Sequence, residues 1–247
     1  MQKGVRLPDW ADFFSGLKKN VAVIGGGGKT GLINLLEAEL SAEGRPVLAT
    51  VTTRLGRDQL AHLPRLEAAD LDQALAGVGR VAAGERLLLT GPYVSEEKLS
   101  GLPLGWFRPL RQAAGQEPYF LIEADGSAGR PVKAHREYEP QLPPLADLQV
   151  VAVLGLSALL LPFPDSVHRP EILAERVPAP QAGRALSPDF VASFVNSAWR
   201  PLPIEVIFLN QSDLLQTEQE KDLGERLASN LIESGWTVFM GSTKERS

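Results

Sequence analysis

Short apolar runs alternate with amphipathic helical patterns along most of the chain. The runs contain few polar positions, which is typical of parallel strands that helices cover on both faces. We predict seven strands on this basis, at residues 21–25, 45–53, 86–93, 119–126, 148–155, 204–211 and 236–241.

The segments between these runs predict helices. Leu32, Leu36 and Leu40 repeat at the spacing of one helix face directly after the first run. Thr217 and Glu220 form a capping box that begins a helix before the last strand. Strands that alternate with helices predict an α/β fold, here a P-loop NTPase-like doubly wound, mostly parallel sheet flanked by helices. We assign residues 1–247 to a single domain.

Two long stretches, 124–147 and 155–187, lack a helical or strand period and are rich in proline or in charged residues. Loops of this length within a compact domain are usually functional or disordered. Because they contain His, Arg, Lys and Glu side chains, we predict that they are functional loops.

Composition excludes several classes of function. The 247 residues carry a net charge of −5, which provides no surplus of positive charge for nucleic acid or an anionic membrane. The sequence has no cysteine, so disulfides, thiolate metal sites and cysteine nucleophiles are excluded. The first residues show no signal peptide, and the longest apolar stretch, 148–163, is too short and too interrupted to span a bilayer. We expect a soluble, cytoplasmic protein.

The segment GGGGKT, residues 25–30, joins the first strand to its helix. Glycines allow backbone N–H groups to face a phosphate, and the helix N-terminus adds its positive dipole. We therefore predict that Gly25, Gly26, Gly27, Gly28, Lys29 and Thr30 bind ATP or GTP. Lys29 would neutralise the β- and γ-phosphates, and the hydroxyl of Thr30 would bind Mg²⁺.

This loop departs from the usual G-x-x-x-x-G-K-[ST] spacing, because Val23 stands where the first glycine is required. A glycine turn with a purely structural role is the alternative. A dinucleotide-binding fingerprint is disfavoured, since no G-x-G-x-x-G with a following acidic residue fits here.

Glu123 and Asp125 stand at the carboxyl end of the fourth predicted strand. Ligands of open α/β sheets bind at that edge, where carboxylates hold Mg²⁺ or orient an attacking water. We predict that both residues are catalytic and bind the metal. A strand-terminal turn is the alternative, because Asp-Gly is a common turn dipeptide.

Asn210 and Asp213 follow the sixth predicted strand in the segment NQSD. The segment is similar to the N-K-x-D guanine site of regulatory GTPases, with Gln211 in place of lysine, and GSTK at 241–244 is weakly similar to the last base-side loop of that class. We predict that Asn210 and Asp213 bind the base. A loop in which Ser212 or Asp213 caps a helix is equally compatible, so the choice between ATP and GTP stays open.

Six segments in this order resemble one family: VIGGGGKT, ATVTTR, LIEADGSAGRPVKAHREYEP, VVAVLGL, VHRPE and LNQSD. From about Val21 to Asp213, the chain resembles the YqeC family of accessory, or selenium-cofactor biosynthesis, proteins of selenium-dependent molybdenum hydroxylases. The resemblance implies a client molybdenum hydroxylase or a selenium-pathway protein as partner.

By position, the resemblance implies a site formed by residues 25–30 together with Glu123, Asp125, Arg130, Lys133, His168, Arg169 and Glu171. The chain departs from the family pattern at Gly31, where a second threonine is expected, and at Gln211, where many members have lysine.

The charged side chains of the two loops indicate a second substrate. Arg130 and Lys133, followed by His135 and Arg136, come shortly after the acidic strand end, where cations can bind an anion. We predict that Arg130, Lys133 and Glu171 bind this substrate. A solvated charged loop is the alternative.

The tetrapeptide HRPE begins at His168. Pro170 at the first helical position and Glu171 in the first turn are explained by a helix start. That explanation leaves His168 and Arg169 without a role, so we predict that both are catalytic and that the 155–187 segment folds over the nucleotide. The three histidines are not spaced as a metal cluster, and no zinc site is expected.

Together these features predict an NTPase or NTP-dependent transferase that assists maturation of the selenium-containing cofactor of a molybdenum hydroxylase. One alternative is a Mur-ligase-like ATP-dependent core, although few residues after the last strand would leave a full ligase without its amino-acid-binding domain. The other is a non-enzymatic switch, in which the nucleotide controls binding to a client hydroxylase.

Overall fold

A computed structural model describes residues 10–178 and 180–244. Its strands are β1 (Asn20–Gly25), β2 (Val47–Val51), β3 (Leu55–Gly56), β4 (Arg65–Glu67), β5 (Arg86–Thr90), β6 (Tyr93–Ser95), β7 (Lys98–Leu99), β8 (Tyr119–Glu123), β9 (Val132–Lys133), β10 (Leu148–Gly155), β11 (Val167–His168), β12 (Val206–Asn210) and β13 (Val238–Met240). Its α-helices are α1 (Trp10–Ser15), α2 (Lys29–Ala42), α3 (Leu71–Ala82), α4 (Phe107–Ala114), α5 (Pro170–Arg176), α6 (Pro188–Ala198) and α7 (Glu218–Glu233).

Eight strands form one central sheet in the order β13-β12-β10-β1-β8-β2-β5-β4. Every neighbouring pair in this sheet is parallel. β1 lies in the middle, with β10 on one side and β8 on the other. The carboxyl ends of these three strands therefore meet at one edge, which is where open α/β sheets bind ligands.

Helices cover both faces of the sheet, because successive strand residues point to opposite sides. On one face Val21 and Val23 of β1 pack with Leu32 and Leu36 of α2. On the other face, α6 and α7 cover β10 and β12, and α3 and α4 cover β2, β5 and β8. Within residues 10–178 and 180–244, no helix has both the length and the apolar character needed to cross a membrane.

The predicted doubly wound parallel sheet is confirmed. All seven predicted strands are present, but several are shorter than the apolar runs. The run predicted to extend to Tyr93 ends at Thr90, because Gly91 and Pro92 follow and proline has no N–H for the sheet. The capping box of Thr217 and Glu220 is formed as predicted, with both reciprocal hydrogen bonds.

Several short elements were not predicted. β4 is a three-residue strand at the edge of the main sheet. The longer helix α3, of 12 residues, was also not identified from the sequence. β3, β6 and β7 form a small antiparallel sheet, in which Gly56 lies opposite Lys98. Strands of two or three residues contain too few positions for a period to be recognised.

The two aperiodic stretches contain short pieces of regular structure. β9, from the 124–147 stretch, pairs with β11, from the 155–187 stretch, and this two-stranded sheet joins them. α5 begins at Pro170 with Glu171 in its first turn, as the sequence predicted. The two loops thus form one unit above the carboxyl edge of the sheet.

The capping box of α7 generates a test of the fold. We expect Thr217→Ala to lower the free energy of unfolding by about 1 kcal/mol, because the N–H of Glu220 loses its side-chain acceptor. Urea titration measures the loss. Thr237→Ala is the control, since Thr237 is exposed and does not cap a helix; an equal loss in both variants would contradict the capping role.

Candidate functional site

A cavity of about 1150 Å³ opens at the carboxyl edge of the sheet. Lys29 and Thr30 from the start of α2 line it, together with Glu123 from the end of β8. His168 and Arg169 line it from the 155–187 stretch. The cavity therefore brings together the glycine loop, the acidic strand end and the HRPE segment.

The glycine loop between β1 and α2 is tightly folded. The N–H of Gly25 donates to Asp125 Oδ2 at 2.9 Å, that of Gly26 to the carbonyl of Val153 at 2.9 Å, and that of Gly27 to the carbonyl of Arg130 at 3.0 Å. These three N–H groups are thus engaged within the protein. The N–H groups of the first turn of α2 have no intrahelical acceptor and are the donors that remain for an anion.

Close contacts with neighbouring segments explain why the loop is made of glycine. A Cβ atom on Gly27 would lie 2.3 Å from Gly155 Cα, and one on Gly28 would lie 2.3 Å from Asn210 Nδ2. Both residues also have positive φ angles, 78° and 117°. Any larger residue would have to displace the backbone of Gly155 or the side chain of Asn210.

The ammonium of Lys29 lies inside the protein. It donates to the carbonyl of Gly25 at 2.9 Å and to Ser127 Oγ at 3.3 Å. It also lies 3.3 Å from Asp125 Oδ1 and 3.8 Å from Glu123 Oε1. A phosphate at the start of α2 would therefore compete with two carboxylates for this ammonium.

Asp125 is fully buried and joins the glycine loop to the following loop. Its Oδ2 atom accepts from Gly25 and lies 2.7 Å from His135 Nε2 and 3.3 Å from Lys133 Nζ. Burial alone would raise its pKa, but Lys29, His135 and Lys133 outweigh burial and hold the pKa well below its usual value. Asp125 does not line the cavity, so its position favours an anchoring role over the predicted metal-binding and catalytic roles.

Glu123 faces the cavity, unlike Asp125. Thr30 Oγ1 donates to Glu123 Oε2 at 2.8 Å. Burial raises the pKa of Glu123, although Lys29 and the Thr30 hydroxyl oppose this effect. A buried carboxylate with a raised pKa gains most from a nearby cation, and a threonine hydroxyl beside it supplies a second oxygen ligand.

The basic residues after Asp125 form an internal ion-pair network. Lys133 is fully buried, and its ammonium lies 3.2 Å from Glu139 Oε1 and donates to the carbonyl of Gly126 at 2.7 Å. Arg169 binds the same carboxylate with two nitrogens, one of them 3.1 Å from Glu139 Oε1. Burial raises the pKa of Glu139, but Arg169 and Lys133 outweigh it and lower the pKa to about 2.

The other predicted residues lie in different places. His168 lines the cavity, and burial followed by the charge of Arg169 lowers its pKa. Arg130 is exposed and pairs with Asp165 outside the cavity, and Glu171 is exposed on α5. The buried Lys133 and these two exposed residues do not line the cavity, so their positions do not favour the predicted contact with a second substrate.

A second cavity, of about 520 Å³, lies on the other side of the α2 N-terminus. Asn210 and Asp213 line it, as does Ser242. Asn210 Nδ2 donates to the carbonyl of Gly27 at 2.8 Å, and Ser242 Oγ donates to Asp213 Oδ1 at 2.7 Å. Asn210 thus supports the glycine loop, and the carboxylate of Asp213 is held in a fixed orientation by Ser242.

Several residues of the larger cavity were not identified as site residues from the sequence, among them Arg54, Gln59 and Lys98. Gln59 Nε2 donates to Thr30 Oγ1 at 2.9 Å, which connects the β2–β4 segment to α2. Arg54 is part of the ATVTTR segment of the family resemblance, which was its only signal in the sequence. Lys98 follows two glutamates in an exposed hairpin and carries no motif.

Comparison with known proteins identifies the family. The model of the YqeC protein family matches residues 21–171, more than half of the chain. The uncharacterized protein YqeC of Escherichia coli (strain K12) is 34% identical over 142 residues, which are 55% of this chain and 51% of that protein. The chain belongs to the YqeC family, and it spans about half the length of this curated relative.

A crystal structure of FlhF complexed with GMPPNP and Mg²⁺ is similar to the chain at 10% sequence identity and a TM-score of 0.48. The matched region covers 92% of this chain and 67% of that chain.

The buried position of Asp125 generates a test. We expect Asp125→Asn to lower the free energy of unfolding by about 3–5 kcal/mol, because Lys29 and Lys133 would remain buried without their shared carboxylate. Urea titration measures the loss.

Asp165→Asn is the matched control, since Asp165 is exposed and, within residues 10–178 and 180–244, forms an ion pair only with the exposed Arg130; its effect should stay below about 1 kcal/mol. If Asp125→Asn is as mild as the control, Asp125 does not anchor the loop.

Proposed function

We propose that this member of the YqeC family binds a nucleoside triphosphate at the N-terminus of α2 and acts as an NTPase or NTP-dependent transferase. The single observation that carries the proposal is the contact of 2.8 Å between Thr30 Oγ1 and Glu123 Oε2, on the wall of a cavity that Lys29 also lines. This contact joins the start of a helix after a glycine loop to a carboxylate at the adjacent strand end. P-loop proteins use that combination for phosphates and a metal ion.

The phosphates would occupy the start of α2. The N–H groups of its first turn and the helix dipole favour an anion there. The glycine N–H groups at 25–27 are used within the protein, so we assign these glycines to the shape of the loop, and assign the phosphate contacts to residues 28–30. Lys29 would transfer part of its interaction from Asp125 and Glu123 to the phosphates.

Thr30 and Glu123 fit Mg²⁺. Both offer oxygen atoms, the ligand type that Mg²⁺ prefers, and they are close enough to share an ion whose other positions are filled by water and phosphate. Burial raises the pKa of Glu123 despite the nearby Lys29, so a metal ion would favour its charged form. When bound, the ion would neutralise charge that develops on the phosphates.

The base would occupy the cavity lined by Asn210 and Asp213. Ser242 holds one oxygen of Asp213, which leaves the other carboxylate oxygen to accept hydrogen bonds. Guanine presents N–H donors on the corresponding edge, whereas adenine presents an acceptor there. This arrangement favours GTP over ATP.

The finer role rests on the family resemblance. We propose that nucleotide turnover assists maturation of the selenium-containing cofactor of a molybdenum hydroxylase in the cytoplasm, with a client hydroxylase or a selenium-pathway protein as partner. His168 lies on the cavity wall and its lowered pKa keeps it neutral near physiological pH, so it can accept a proton. Arg169 holds Glu139 and thereby fixes the loop beside the phosphates.

One observation favours a nucleotide-controlled switch as a second candidate. Gln59, on an exposed segment, donates to the same Thr30 hydroxyl that would bind the metal ion. Metal binding at Thr30 would compete with this hydrogen bond and release the segment. Turnover that accelerates only with a client protein would favour the switch, and turnover that requires a small molecule would favour the transferase.

The Mg²⁺ site generates a test. We expect Glu123→Gln to retain triphosphate binding without Mg²⁺ but to lose the increase in affinity that Mg²⁺ causes, because an amide is a poor metal ligand. Calorimetric titration with and without Mg²⁺ measures binding, and single-turnover rates should fall by about 100-fold or more.

Glu97→Gln is the control, because Glu97 is exposed and does not line the cavity. Unchanged Mg²⁺ dependence and rate in Glu123→Gln would show that Glu123 is structural.

The base site generates a separate test. Asp213→Asn should weaken GTP about tenfold or more and strengthen xanthosine triphosphate by a similar factor, because xanthine has a carbonyl in place of the exocyclic amine. An asparagine oxygen can still accept from Ser242, so the loop should keep its shape. Competition binding measures both affinities, with the exposed Asp222→Asn as control. Equal effects on ATP and GTP would show that Asp213 only shapes the loop.

A further inference from the structure

Besides Lys29 and Arg169, which already pair with carboxylates, the larger cavity is lined by the basic side chains of Arg54, Lys98 and Arg136. Arg54, Lys98 and Arg136 share one property: no ion pair of theirs with a described residue lies within 4.0 Å. We refer to them as the basic strip. The guanidinium of Arg136 donates to the hydroxyl of Tyr138 at 2.7 Å. In a chain with a net charge of −5, this strip is a local excess of positive charge.

The acidic residues of the same cavity do not compensate the strip. Glu123 is held by Thr30 and lies near Lys29. Glu139 is held by Lys133 and Arg169. Each carboxylate thus already has a cation of its own, and the charge of the basic strip is left for a ligand.

Hydrogen bonds place the segments that carry Arg54 and Lys98 beside the proposed metal ligands. The N–H of Thr52, two residues before Arg54, donates to the carbonyl of Glu123 at 3.0 Å. Lys98 lies opposite Gly56 in the small sheet, and the N–H of Gly56 donates to Gln59, which in turn donates to Thr30. Two independent connections therefore place Arg54 and Lys98 next to Thr30 and Glu123 and not next to the base cavity.

We propose that the basic strip binds the phosphate or diphosphate group of a small second substrate, and this inference rests on the proposed function. Several cations around one cavity match the multiple charges and acceptor oxygens of a phosphate better than a single carboxylate does. The strip also explains why Arg130 and Lys133 need not contact the substrate. The second substrate lies against the β2–β4 segment and the β6–β7 hairpin, with its anionic group close to the end of the triphosphate.

Pyrophosphate is the probe for this site. The protein is first saturated with Mg²⁺ and a non-hydrolysable triphosphate analogue, and pyrophosphate is then titrated by calorimetry at fixed salt. In Arg54→Ala/Lys98→Ala, pyrophosphate affinity should fall about tenfold or more, while affinity for the analogue should change less than about threefold. Both side chains are exposed, so the double variant should keep its fold, which circular dichroism checks.

Arg57→Ala/Lys221→Ala is the matched control, since it removes two positive charges from exposed residues outside the cavity. Its pyrophosphate affinity should match that of the parent protein. An equal loss in the control would mean that pyrophosphate responds to net charge alone, and the proposal would be overturned.

The remaining outcomes separate this inference from the proposed function. If no triphosphate binds but the nucleotide-free protein loses pyrophosphate affinity in the Arg54/Lys98 variant, the proposed function fails and the basic strip stands as an anion site. If the variant weakens the analogue as much as pyrophosphate, the strip serves the nucleotide's own phosphates and the inference fails. Pyrophosphate binding that is absent in the parent protein, or unchanged in the variant, also refutes the inference.

Discussion

A single buried carboxylate determines how the site is assembled. Asp125 has no exposed surface, and it must be compensated by hydrogen bonds and positive charge. It obtains them from the N–H of Gly25, from Lys29 and from Lys133 and His135 of the next loop. The glycine loop, the start of α2 and the 124–147 stretch are thereby fixed to one another. The cavity has walls in defined positions because these three segments share one anion.

This arrangement separates two carboxylates that are only two residues apart in sequence. Glu123, the last residue of β8, faces the cavity, and Asp125 faces the protein interior. Their pKa values move in opposite directions, because burial dominates at Glu123 and neighbouring cations dominate at Asp125. One carboxylate is therefore available to a ligand, and the other is committed to the fold.

The sequence predicted the main sheet because its strands are continuous apolar runs. It predicted α7 because Thr217 and Glu220 form a capping box, which marks the N-terminus of the helix. It also predicted which segments surround the cavity, since glycine loops and carboxylates at strand ends meet in this class of sheet. It did not predict that Glu123 faces the cavity while Asp125 faces the interior, because the surroundings of Asp125 depend on how the 124–147 loop folds back onto it. Gln59 and Lys98 carried no signal, because their positions depend on a hairpin of very short strands.

The glycine loop lies early in the chain, but its shape depends on segments far along it. Gly26 donates to Val153, Gly27 lies against Gly155, and the carbonyl of Gly27 accepts from Asn210, which is 183 positions away. Bringing residues so far apart in sequence together costs more loop-closure entropy than forming a local contact does. During synthesis, the loop would therefore emerge from the ribosome long before its partners exist. The glycine loop can take its observed shape only after β10 and β12, which carry Gly155 and Asn210, have been synthesised and have joined the sheet.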